Sequence, residues 1–195
     1  MKRELFNVVV CGVGGQGIGM LTEVLGKACQ KAGHVIHGCD THGLAQRGGT
    51  VLSHLRLGEG AFTPRVPGGE ANLVIALERL EALRAVQEYL GQGGALLYYD
   101  AVYQPMAVRS GKAAYPEARQ VQAAVEARGG VAHRVLVDGL ADPRMQNVAL
   151  LGALAAKGLV PGIDPARVEA ALREAVPAGA LEANLAVFHQ LRAAA

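Results

Sequence analysis

Residues 8–20 read VVVCGVGGQGIGM, an apolar run entering a turn in which Gly12, Gly14 and Gly17 fit G-x-G-x-x-G. A strand that passes through such a turn into a helix leaves the backbone N–H groups of Gly14, Gly15 and Gln16 at a helix N-terminus, where an anionic group is favoured. Asp40 follows Gly17 by 23 residues, where a carboxylate would hold the ribose of a nicotinamide or flavin dinucleotide. A second glycine-rich stretch, THGLAQRGG over residues 41–49, sets His42, Gln46 and Arg47 among Gly43, Gly48 and Gly49. Glycine permits close backbone approach to a ligand or a neighbouring chain, and Arg47 offers a planar fork suited to phosphate or carboxylate. The bland alternative is a solvated loop with an incidental arginine.

Alternating strands and helices must position these stretches. Strands are expected at residues 5–11, 34–39, 49–57, 72–77, 95–99 and 131–137, and helices at 18–32, 79–90 and 117–128. Ile18, Leu21, Val24, Leu25 and Ala28 recur at helical spacing, and Gly33 ends that helix. In the third strand Val51, Ser53, Leu55 and Leu57 share one face and Leu52, His54 and Arg56 the other, which predicts a partly wet face. From about Arg144 the chain reads as helices at 145–157, 164–175 and 181–191, punctuated by Pro161 and Pro177, with Asp164-Pro165 a good helix start.

The predicted fold is α/β and Rossmann-like: a mostly parallel sheet with helices on both faces and a helical C-terminal segment, in a single domain over residues 1–195. Only DTHGLAQRGG separates the second and third strands, too short for a crossover helix. The third strand is therefore expected to run antiparallel or to leave the sheet's central order, and the second mononucleotide half of a dinucleotide fold is missing. If the first and second strands are adjacent, both glycine loops emerge at one sheet edge and form a crevice.

Composition excludes several classes. The chain has 195 residues, is 51% hydrophobic with 26 glycines, and carries a net charge of +2 without a basic block, so no nucleic-acid groove is expected. No apolar run approaches the ~20 residues that span a bilayer, and no signal peptide is seen, so a cytoplasmic protein is expected. Cys11, Cys29 and Cys39 form no C-x-x-C pair and cannot supply the thiolates of an ordinary iron–sulfur cluster. They read as small buried hydrophobes. His34, His37, His54, His133 and His189 lack metal-ligand spacing and read as surface or satisfied core histidines. Tyr98 and Tyr99 are expected to place one ring in the core and one toward the crevice. Asn147, in an apolar stretch, reads as a cap or helix–loop hydrogen bond or as a functional contact.

Taken in order, GVGGQG, THGLAQRGG with VLSHLRLG, NVALLGAL and EANLAVF resemble the gamma-type subunit of 2-oxoacid:ferredoxin oxidoreductases. The A-Q-R-G-G form is most similar to the small (beta) subunit of indolepyruvate ferredoxin oxidoreductase, and the resemblance runs from Asn7 to about Gln190. It implies a Rossmann-like domain that binds no dinucleotide. It also implies a complex that decarboxylates 2-oxo acids on thiamine diphosphate, passes electrons through iron–sulfur clusters to ferredoxin and forms an acyl-CoA. This chain has neither a G-D-G thiamine diphosphate motif (Val137-Asp138-Gly139 is only an echo) nor cluster cysteines. Thiamine diphosphate, magnesium and the clusters are accordingly expected on a larger partner subunit.

On this chain no catalytic residue is expected. The candidate binding residues are Gly12, Gly14, Gly15, Gln16, Gly17, His42, Gln46, Arg47, Gly48 and Gly49, facing coenzyme A or the partner chain. Leu44-Ala45-Gln46 before R-G-G favours the aryl-pyruvate type, while ALLYYDAVYQP departs from the family pattern and leaves indolepyruvate and other branched or aromatic oxo acids open. A homodimer is one way for the isolated chain to cover its partner surface. The competing functions are a nicotinamide- or flavin-dependent oxidoreductase and a standalone nucleotide- or CoA-binding module.

Overall fold

The computed structural model describes residues 5–42, 49–140 and 142–193. Strand β1 (Phe6–Val13) enters the glycine turn, α1 (Ile18–Lys31) leaves it, and β2 (Ile36–His42) and β3 (Thr50–Leu57) follow. The next elements are β4 (Ala71–Ala76), α2 (Arg79–Tyr89), β5 (Leu90–Tyr99), a single turn α3 (Met106–Arg109), α4 (Ala118–Glu126) and β6 (Val131–Val135). A 3-10 turn at Pro143–Met145 leads into α5 (Gln146–Lys157), α6 (Pro165–Ala175) and α7 (Ala178–Ala193).

The six strands form one sheet in the order β2-β3-β1-β4-β5-β6. β1, β4, β5 and β6 pair in parallel, while β3 runs antiparallel to both β1 and β2. Only β3 opposes the common direction, so the sheet is mostly parallel with one reversed strand. The first and second strands are not neighbours as supposed, because β3 inserts between them. The physical reason lies in the connection: residues 43–49 are too few for a crossover, so the chain reverses against β2 and presents its far edge to β1.

Alternation along β1 sorts the core into two layers. Val8 and Val10 belong to the core cluster shared with α1, α5, α6 and α7, whereas Val9 and Cys11 belong to the cluster shared with α2 and α4. All four are fully buried, as expected of a strand covered on both sides. Each apolar position expected on α1 is buried, from Ile18 to Ala28. The C-terminal helices close the first layer. Every residue of α5 from Gln146 to Ala155 is buried, because the helix lies between the sheet and α7. Asp164 caps α6 by accepting the Arg167 N–H at 2.8 Å.

Two expectations about faces are corrected. His54 and Arg56 of β3 are buried rather than wet, because the β3–β4 connection folds back over them. Tyr98 and Tyr99 are both buried, one in each core layer. Alternation sends the rings to opposite faces, and helices cover both faces at this strand.

Candidate functional site

The strand order reverses between β1 and β4, since α1 leads toward β2 and β3 while α2 leads toward β5 on the opposite face. In an open α/β sheet this is where a crevice opens at the carboxyl ends of the strands. A cleft of about 480 Å³ lies there, lined among others by Val13, Thr50, Glu81, Arg84, Tyr103 and Arg109.

The glycine turn forms one wall, and its hydrogen bonds run largely inward. Gly14 N–H donates to the Gly49 carbonyl at 2.9 Å, and Gln16 N–H to the Val13 carbonyl at 3.1 Å. Two of the three backbone donors expected to meet an anion are therefore taken up by the chain. The Gln16 side chain is also internal: its Oε1 accepts from Val13 N–H at 2.8 Å, and its Nε2 donates to the Leu77 carbonyl at 2.6 Å and to Gln146 Oε1 at 3.1 Å. It ties the turn to β4 and α5 instead of reaching a ligand. A Cβ on Gly12 would sit 2.9 Å from Gln16 Oε1 and 3.0 Å from the Leu77 Cβ, so glycine here serves close packing. Gly17 has φ 79°, and a Cβ there would lie 2.4 Å from Asn147 Nδ2, which donates to the Gly17 carbonyl at 3.2 Å. The helix–loop hydrogen bond is thus what Asn147 supplies. Gly15 alone of the turn is exposed.

Of the second glycine stretch only the ends lie among the described residues, and its last residue, Gly49, meets the glycine turn through β3. Val13 pairs with Thr50, which sets Gly49 beside Gly14, while His42 pairs with Val51 one strand further out. Gln46, Arg47 and Gly48 lie outside the described residues.

The other wall comes from residues that periodicity did not single out. Glu78, at the N-cap of α2, accepts from Glu81 N–H at 2.8 Å and Tyr103 N–H at 3.3 Å, and also from the Tyr115 hydroxyl. Burial and this carboxylate hold the Tyr115 phenol protonated well above its usual range. Glu81 is nearly buried; desolvation raises its pKa against the opposing pull of Arg84, 2.7 Å away, and of Thr50. Behind them Asp100 has a wholly buried side chain bridging Arg79 and Arg134. Burial alone would raise this carboxyl, but the two guanidiniums outweigh it and hold it below the usual range. A sequence signal for this wall existed in the acidic residues just beyond two strand ends, Glu78 after β4 and Asp100 after β5.

The arrangement offers a rigid edge, two cations at its rim in Arg84 and Arg109, and no activated nucleophile. Cys11 is buried, its thiol pushed up by desolvation and then by Glu81 and Glu78; burial pushes the Cys29 thiol up to about 12. Among the described residues no three His, Cys, Asp or Glu side chains gather to hold a metal ion. These residues do not fit an iron–sulfur cluster, whereas the rim cations suit an anionic group.

A family model described as pyruvate ferredoxin/flavodoxin oxidoreductase matches residues 7–194. The chain belongs to this family. Among family relatives, the indolepyruvate oxidoreductase subunit IorB of Pyrococcus horikoshii is 31% identical over 189 residues, covering 94% of this chain and 92% of the relative. The subunit of the same name from Thermococcus kodakarensis is 32% identical over 188 residues, with the same coverage of each chain. Solved family structures share the fold. The pyruvate oxidoreductase subunit PORC of Thermotoga maritima superposes with a TM-score of 0.65 at 18% identity, over 98% of this chain and 97% of that one. The 2-oxoglutarate:ferredoxin oxidoreductase of Magnetococcus marinus, with 2-oxoglutarate, coenzyme A and succinyl-CoA bound, gives 0.68 at 18% identity. There the match spans 98% of this chain but 31% of the other, so the present fold corresponds to part of a longer polypeptide. No helix among the described residues is long and apolar enough to cross a membrane.

Proposed function

We propose that this chain is the small subunit of a cytoplasmic 2-oxoacid:ferredoxin oxidoreductase of the aryl-pyruvate type, with indolepyruvate the first substrate to try. A larger subunit carries thiamine diphosphate, magnesium and iron–sulfur clusters. The 2-oxo acid loses carbon dioxide, its acyl group passes to coenzyme A, and the electrons pass to ferredoxin. The observation that carries this is the near end-to-end match to subunits named for indolepyruvate oxidoreductase, 31% and 32% identical over 94% of the chain.

The role of this chain is to shape an edge of the complex. The candidate residues Gly12, Gly14, Gly15, Gln16, Gly17, His42, Gln46, Arg47, Gly48 and Gly49 belong to that edge. Gln16 and Gly17 act from inside by fixing the turn, while Gly15 is exposed. Arg84 and Arg109 supply the charge that would meet the phosphates of coenzyme A or an acidic segment of the larger subunit.

The test is co-expression with a thiamine diphosphate- and cluster-bearing partner, followed by assay of CoA-dependent ferredoxin reduction with indolepyruvate, pyruvate and 2-oxoglutarate. Turnover should require both chains and favour the aryl-pyruvate. Turnover by the pure small chain, or failure of the two to assemble, would overturn the assignment.

A further inference from the structure

Glu81 occupies a buried position of α2, on the side of the helix that also buries Ala82, Ala85, Val86 and Tyr89. A carboxylate taken out of water at such a position must find partners. Arg84 donates to its Oε1 at 2.7 Å, but that guanidinium side chain is itself 55% exposed, while the Glu81 side chain is only 6% exposed. Thr50, at the start of β3, adds a hydrogen bond.

The other neighbours give the carboxylate no help. Cys11 of β1 donates its thiol to the Glu81 backbone carbonyl at 3.6 Å and not to the side chain. Asp100 and Arg79 are committed to one another. Glu78, wholly buried at the N-cap of the same helix, holds the Glu81 N–H, the Tyr103 N–H and the Tyr115 hydroxyl, and its charge opposes that of Glu81. Two acidic side chains therefore share one buried corner, and the cation that serves Glu81 also lines the cleft.

Arg84 thus has a second use. Its forked N–H groups and those of exposed Arg109 line the same cleft of about 480 Å³. An oxyanion seated there sets another negative charge against the guanidinium that neutralises Glu81, and against Glu78 behind it. Ionised Glu81 repels that anion across a poorly solvated gap; protonated Glu81 does not, and it offers an O–H donor instead.

We propose that Glu81 sets the charge condition of the cleft: an oxyanion seats on Arg84 and Arg109 together with a proton on Glu81. This rests on the anion-meeting role of the rim given above, and the oxyanion is a phosphate of coenzyme A or a carboxylate of the larger subunit. Linkage fixes the sign. Desolvation already raises the Glu81 carboxyl from its usual 4.5, and a bound anion raises it further. Affinity is therefore greatest below the folded value and falls as pH rises through it, because anion and proton favour one another reciprocally. No histidine lines the cleft to mimic this dependence.

The test is calorimetric titration of the full-length chain with sulfate, which keeps its charge between pH 5.0 and 8.0. Wild type should bind about tenfold more tightly at pH 5.0 than at pH 8.0, the equivalent of about one pKa unit. Titration in buffers of different ionisation enthalpy should show proton uptake on binding. Glu81→Gln keeps an acceptor for Arg84 without the charge; it should bind at pH 8.0 as tightly as wild type does at pH 5.0, with no proton uptake. Arg84→Gln should weaken binding about tenfold or more at either pH. Sulfate that does not bind, or binds regardless of Arg84→Gln, overturns the rim reading and this inference with it. Binding that needs Arg84 but is unchanged between the two pH values, or keeps its pH dependence in Glu81→Gln, overturns the proton coupling alone. With the coupling present, displacement of sulfate by coenzyme A identifies the phosphate as the natural occupant, and displacement by the larger subunit alone identifies its carboxylates.

Discussion

Asn147 Nδ2 donates to the Gly17 carbonyl at 3.2 Å, joining two residues 130 positions apart. The bond ties the first turn of α5 to the first turn of α1, and it does so where Gly17 has no Cβ to obstruct it. The glycine turn is therefore as much a packing device as a ligand loop.

A double-mutant cycle checks this coupling. Asn147→Ala removes a buried donor and should cost about 1–3 kcal/mol. Gly17→Ala combines a positive φ with overlap on Asn147 Nδ2, and should cost more than the ~1–3 kcal/mol of the backbone conformation alone. In the Asn147→Ala background the Gly17→Ala cost should fall toward that backbone figure, because the overlapping atoms are gone. Urea unfolding of the four proteins gives the coupling energy; strict additivity would mean that the two residues are not in contact.

His54 should make stability fall on the acid side. Its folded-state pKa is lowered from 6.5, first by burial and then by Arg65, with Glu88 and Asp40 opposing. The unfolded chain thus takes up a proton that the folded chain resists. Stability from this site is complete above 6.5 and declines as pH falls below 6.5 toward the folded value. His54→Asn retains an acceptor near Val66 N–H but removes the titration. Unfolding free energies at pH 7.5 and 5 should differ less in that variant than in wild type, with His133 the remaining lowered histidine.

Asp100→Asn should be among the more damaging single changes at the carboxyl edge. The wild-type carboxylate is wholly buried and bridges Arg79 and Arg134, whose side chains are 19% and 52% exposed. Removing its charge leaves Arg79 largely enclosed without a counterion, at a cost of about 3 kcal/mol, less the screening available to the more exposed Arg134. Because the folded pKa is lowered from 3.8, wild type should lose this contribution as pH falls below 3.8 toward the folded value, and the variant should not. Acid titration of both proteins by circular dichroism measures the difference.

Charge reversal should separate function from stability. Arg84→Glu and Arg109→Glu alter the rim of the cleft, and Arg47→Glu alters the glycine-rich stretch that precedes Thr50 in the sequence. Each should lower affinity for the larger subunit or raise the KM for coenzyme A by about tenfold or more; Arg109→Glu should do so with the melting temperature held within a few degrees, whereas Arg84→Glu should also lower the melting temperature, because it sets like charge against buried Glu81. Assembly and turnover at wild-type levels in all three would remove the cationic rim from the function.

The isolated chain should be colourless and catalytically silent. It lacks cluster cysteines, so no thiolate-to-iron absorption near ~400 nm is expected, and no 2-oxo acid should drive reduction of a viologen dye. An absorbing or active preparation of the pure chain would contradict the division of labour proposed here.

The order of elements was determined locally. The apolar run Val8–Val10, the spacing of Ile18 to Ala28 and the glycine stops are short-range signals, and they placed β1 and α1 to within a residue or two. The ordered set of motifs likewise pointed to the family later matched across residues 7–194. What the sequence could not determine was which strand lies beside which, and what covers each face. The short connection after β2 implied a reversal, but only the assembled sheet showed that β3 separates β2 from β1. Alternation put His54 and Arg56 on one face of β3 without indicating that residues 58–70 would bury them. The strand–turn–helix motif marked Gly14 and Gln16 as donors without indicating that Gly49 and Val13 would accept from them. Periodicity reports the direction of a side chain from its own backbone; a neighbour tens of residues away is set by the packing of the whole chain, and only tertiary structure decides whether a polar group meets solvent, a ligand or its own protein.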